Sequence, residues 1–116
     1  MDSDNLISSL FGSTENIWEA IKGYAIKGSR EVTRMMLQMY FCLTSPQTPA
    51  LDKAIIVGGL AYQLLSKDLL PMKKYNLLGL LDNGLTLAIA YQKIQKNITP
   101  EVNAQVEATL GKWFPA

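Results

Sequence analysis

Between residues 49 and 95 the chain carries two stretches almost free of charge, and they limit what it can fold into more than any other feature. Residues 54–65 are twelve positions without a charged side chain, and residues 75–91 are seventeen with Asp82 as their one charge. Such runs must leave water, either into a protein core or into lipid. A membrane-spanning helix needs about twenty consecutive apolar residues, and both runs fall short of it. A lone carboxylate in the second run would also be costly in hydrocarbon. Buried core helices are therefore expected, paired as a helical hairpin with arms at about residues 49–65 and 76–95.

The spacing of small residues supports that pairing. Ala54, Gly58 and Ala61 recur at i, i+4 and i+7 on the first arm, and Gly79, Asn83, Thr86 and Ala90 at i, i+4, i+7 and i+11 on the second. Glycine inside a helix costs about 1 kcal/mol relative to alanine. Close approach of the two backbones is the expected compensation. The same stripes suit helices packed in a membrane, so they support the hairpin without fixing its surroundings.

Helix boundary signals recur along the rest of the chain. Residues 1–12 read as a short docked leader with an apolar patch, Leu6, Ile7, Leu10 and Phe11, closed by Gly12. Ser13 or Thr14 then caps a helix whose positions Ile17, Trp18, Ile21, Tyr24 and Ala25 make one apolar face. Gly28-Ser29 reads as a stop followed by a new start, and Val32, Met35, Met36, Met39, Tyr40 and Leu43 form the next stripe. Thr48-Pro49 and Thr99-Pro100 both read as an N-cap with Pro at the first helical position, and the second opens an amphipathic helix over residues 100–114. The sum is an all-α, single-domain bundle of about five helices within 116 residues. An apolar fraction of 48% against 18% charged residues is enough to supply one ordinary core.

Charge and residue inventory narrow the chemistry. Eleven Lys and Arg balance ten Asp and Glu, and the basic residues are scattered over helix faces. No nucleic-acid partner is expected from that pattern. The chain has no His and one Cys, Cys42, within an apolar run. That excludes a zinc set and a histidine-activated nucleophile, and it suits a buried thiol in a reducing compartment or in a redox-neutral protein. Gly58-Gly59 lacks the Gly-Lys-Ser/Thr ending of a phosphate loop, and no cofactor is implied. The acidic first residues lack the basic and apolar regions of a signal peptide, which suggests a cytoplasmic protein.

Two carboxylates stand out. In helical rhythm Asp82 projects among Leu78, Leu85 and Ile89, and a carboxylate there needs a partner. Lys53, Tyr62 and Arg34 are the candidate side chains, and a turn at Asp82-Asn83-Gly84 is the alternative reading. Asp68 lies in the connection between the arms. Should that connection fold back, Ser66, Asp68, Asp82 and Asn83 would gather oxygen ligands for a hard cation or a polar ligand. The competing reading is a capping and hydrogen-bond network that fixes the loop. Lys53, Tyr62, Ser66, Asp68, Asp82 and Asn83 are thus a ligand-binding or structural polar site, with no metal or catalytic residue assigned.

Thr48-Pro49, Lys53-Ala54, Tyr62, Asp68-Leu69-Leu70-Pro71 and Gly79-Leu80-Leu81-Asp82 together resemble the pattern of the YkvA-like family, short bacterial domains of unknown function. The likeness covers about residues 32–96. It implies a helical domain often labelled membrane-associated, and it implies no reaction. The sequence departs from the pattern at Ser66, where the family has Pro, and at Asn83, where it has a second Asp. The Asn83 departure removes a charge from any shared cation site. The expected function is therefore a non-enzymatic helical interaction or scaffold domain with a protein partner or a second copy. A membrane-associated hairpin and small-ligand or divalent-cation binding at Asp68 and Asp82 stand as alternatives.

Overall fold

The computed structural model describes residues 3–65 and 86–115. Six α-helices run through them: α1 (Ser3–Leu10), α2 (Thr14–Lys27), α3 (Arg30–Leu43), α4 (Ala50–Leu64), α5 (Leu87–Ile94) and α6 (Pro100–Trp113). A 3-10 turn, Gln95–Asn97, joins α5 to α6. There is no strand among the described residues. The all-α expectation holds, with six helices in place of about five.

Most boundaries follow from local chemistry. The Ser13, Ser29, Thr86 and Thr99 hydroxyls accept hydrogen bonds from the backbone N–H groups of Asn16, Val32, Ile89 and Val102, at 3.1–3.2 Å. Each satisfies one of the donors that an α-helix leaves unpaired at its start. Ser29 therefore separates α2 from α3. Gly12 takes φ +92°, a left-handed conformation that favours glycine, and ends the first turn of chain after α1.

Two boundaries differ from the sequence reading. Thr48 is not the cap of α4: Pro49 stands at the N-cap without a side-chain hydrogen bond, and Thr48 is buried behind it. The second arm of the hairpin does not run as one helix from 76 to 95. Thr86 is extended, with φ −110° and ψ 171°, and α5 starts at Leu87. An extended residue cannot carry a helical stripe, so Thr86 caps α5 rather than sharing a helical face with Ala90.

Helix α4 is the centre of the molecule. Residues 54–61 are all buried, and α1, α2, α3 and α5 each pack against it. A helix apolar on every side has to be surrounded in this way. α4 and α5 run antiparallel, since Asp52 meets Asn97 at one end and Gly59 meets Ala90 two turns further along. A methyl group on Gly59 would lie 2.5 Å from Ala90 Cβ and 3.1 Å from Met39 Cε, so the close approach of the arms is made here. The described contact falls at Gly59, beside the Gly58 stripe expected from the sequence. Gly79 and Asn83 lie outside the described residues.

α3 carries the outer layer. It packs against α6 in antiparallel register, with Arg34 bound to Glu107 and Gln38 to Asn103 one turn apart. Beneath that polar seam Val102, Val106 and Leu110 of α6 are buried.

Candidate functional site

Lys53 and Tyr62 lie on α4, both half-buried. Ser66, Asp68, Asp82 and Asn83 lie outside the described residues. Arg34, considered as a partner for Asp82, is held by other carboxylates. Its guanidinium donates to Glu107 through Nε at 3.0 Å and to Glu31 through Nη1 at 3.0 Å. The hydrogen bond with Arg34 holds the Glu107 carboxyl below its ordinary pKa, and the same bond raises the pKa of Arg34.

A buried carboxylate does occur, at Asp52, outside the residues that the sequence pattern marks as a site. Asp52 is 6% exposed at the start of α4. Asn97 Nδ2 donates to its Oδ2 at 2.8 Å and also donates to the Ile94 carbonyl at 3.1 Å. Lys96 Nζ lies 3.8 Å from the same carboxylate oxygen. Asp52 also sits where the helix dipole favours a negative charge. Through Oδ2 the carboxylate clamps α4 to the turn after α5. The sequence signal was available: Asp52 lies a turn before Ile55-Ile56, on a helix with no polar face.

Other reactive groups are few. Cys42 is buried, and burial pushes its thiol up to about 11, so it is a neutral hydrophobe rather than a nucleophile. Among the described residues no three acidic or thiol side chains gather to hold a metal ion. A groove of about 510 Å³ between the end of α3 and the start of α6 has Glu101 as its single charged wall residue. A second, of about 570 Å³, is lined by Lys93, Lys96 and the amides of Gln38, Gln92, Gln95 and Asn103. Neither brings an acid and a base together, which general acid–base chemistry requires.

The distinctive surface is aromatic. Trp18 of α2 lies 5.1 Å from Tyr40 and 5.9 Å from Phe41 of α3, ring centre to ring centre. Trp18 also lies 5.1 Å from Trp113 at the end of α6. All four rings are partly exposed. Their tilted and edge-on arrangements are the ones aromatic quadrupoles favour. The cluster continues into a notch of about 140 Å³ formed by Lys22, Ala25, Ile26 and Trp113. Ile26 is 80% exposed, the most exposed large hydrophobic side chain among the described residues.

The chain matches no protein-family model, no curated protein and no solved structure. The YkvA-like resemblance gains no support from these comparisons. In the sequence the members of the aromatic face are separate positions on three helices. Trp18 and Tyr40 fall within the apolar stripes of α2 and α3; that Trp18 meets Trp113 depends on how α2, α3 and α6 pack.

Proposed function

We propose that the domain is a non-catalytic helical interaction module whose working surface is the aromatic face of α2, α3 and α6. The observation that carries this reading is the partly exposed cluster Trp18, Tyr40, Phe41 and Trp113, continued by Ile26. Aromatic side chains are enriched in the cores of protein interfaces because they bury much area with few rotors to freeze. Rings that already pack on one another lose still less freedom when a partner covers them. The described grooves, each without an acid–base pair, favour binding over turnover. A reducing, cytoplasmic setting suits the single buried thiol.

No helix among the described residues is long and apolar enough to cross a membrane. A photo-crosslinking side chain placed at position 26 tests the proposal in the cells that make the protein. Discrete adducts with one or a few proteins, or with a second copy, are expected. Adducts with lipid alone would transfer the surface to the membrane reading, and the absence of any adduct would remove the interaction role.

A further inference from the structure

We infer that the notch between α2 and α6 receives a short acidic segment of a partner protein, with one apolar side chain of that segment seated against Ile26 and Trp113. The inference rests on the interaction reading above and specifies the partner chemistry of the same face.

Ile26 and Ala25 of α2 and Trp113 of α6 wall a concavity of about 140 Å³ with Lys22 at its edge. That volume is of the order of one large aliphatic or aromatic side chain. Single exposed apolar residues need no explanation. Ile26 is different, because it stands beside a concave apolar wall that runs on into the Trp18 cluster. A concavity fits an inserted side chain, whereas a lipid surface is met best by a protruding one.

Charge selects the segment. Residues 22–34 and 107–113 meet at this end of the bundle, through the contacts of α2 with α3 and α6 and the Arg34–Glu107 pair. They carry Lys22, Lys27, Arg30, Arg34 and Lys112 against two carboxylates, Glu31 and Glu107. Both carboxylates are bound to Arg34. Beyond Lys22 this end is therefore basic in a chain whose net charge is only +1; the remaining acids of α2, Glu19 and Glu15, lie one and two turns before Lys22, toward Trp18. Lys27 and Lys112 lie in the last turns of their helices, where cations complement the dipole. Lys22 has no such role in mid-helix, yet it borders the notch. A partner with carboxylates flanking its apolar residue would meet this rim with complementary sign, which speeds encounter and rejects basic segments.

The test uses the whole chain and a displayed library of random ten-residue peptides. Enrichment of sequences with Asp or Glu around a Leu, Ile, Phe or Trp is expected. A selected peptide should shift the emission of Trp18 and Trp113, the only tryptophans in the chain, both at this face. Ile26→Asp should weaken that peptide about tenfold or more, as loss of a central apolar anchor does. The Lys22→Glu/Lys27→Glu pair should weaken it and reverse the sign of the salt dependence. Ile26 is exposed, so an unchanged circular dichroism spectrum of Ile26→Asp is the control for folding. Selection of basic or uncharged peptides, or binding that ignores both variants, overturns the inference. So does binding to phosphatidylglycerol vesicles with no peptide selected. If position 26 crosslinks to a protein while acidic peptides fail, the acidic-segment inference falls and the interaction reading survives it.

Discussion

At the scale of the residue, the most consequential side chain is Asp52. Its carboxylate is nearly out of water, and Asn97 is its close hydrogen-bond donor. Replacing it by Ala would leave the Asn97 amide without that acceptor in a part-buried place. Hydrogen bonds to charged groups contribute about 1.5–3 kcal/mol. Asp52→Ala should lose that amount in urea denaturation, whereas Lys96→Ala, which removes a largely exposed cation at 3.8 Å, should lose under about 1 kcal/mol. Cys42 gives a second prediction at this scale. Burial raises its thiol from 9.0 to about 11, so between those values the unfolded chain ionises while the folded chain stays neutral. The contribution is complete below about pH 9 and is lost as pH rises through about 11. Cys42→Ala should flatten the alkaline fall in stability over that window, measured as denaturation midpoints. At pH 8 the native thiol should resist iodoacetamide and become reactive only in denaturant.

At the scale of the element, two glycines on helices separate propensity from packing. Gly23 is exposed in the interior of α2, and a methyl group there would meet nothing within 4 Å. Gly59 faces Ala90 at the crossing of α4 and α5, where the same methyl would clash with a neighbour on another helix. Gly23→Ala should therefore stabilise by about 0.5–1 kcal/mol, the intrinsic helix gain. Gly59→Ala receives the same gain but overpacks a close contact, which costs about 1–3 kcal/mol, so it should destabilise on balance. Thermal melts of the two variants should shift in opposite directions; a rise for both would mean that the arms can move apart freely. Helix starts were legible from sequence where the cap is a local side-chain event, as at Ser13, Ser29 and Thr99. Thr86 was not legible, because Leu87, Ala90 and Ile94 continue an apolar rhythm that masks the break. α4 starts one residue later than the Thr48-Pro49 pattern indicates, since the buried position of Thr48 depends on tertiary packing. Of the candidate site, Lys53 and Tyr62 are placed on α4, and the four others lie outside the described residues. The partner of Asp52 could not be read in advance, because Asn97 is 45 residues away and reaches it only through the antiparallel pairing of α4 and α5.

At the scale of the molecule, the arrangement of helices around α4 decides how the domain unfolds. α6 is the peripheral element, packed on α3 and α2 rather than on the central helix. It is 14 residues long, and an isolated helix shorter than about 12–15 residues is marginal in water. Detaching it would therefore unfold it and expose Val102, Val106 and Leu110, all buried now. Each such side chain contributes about 1.5–3 kcal/mol. Together these approach the whole stability of an ordinary domain, about 5–15 kcal/mol, so opening α6 alone offers little advantage over global unfolding. One cooperative transition is expected. The tryptophans make the test direct, because Trp18 and Trp113 report the junction of α2 with α6 while far-ultraviolet circular dichroism reports every helix. Urea curves from the two signals should share one midpoint. A fluorescence midpoint at clearly lower urea would instead make α6 a separately unfolding layer, and the aromatic face would then come apart before the bundle beneath it.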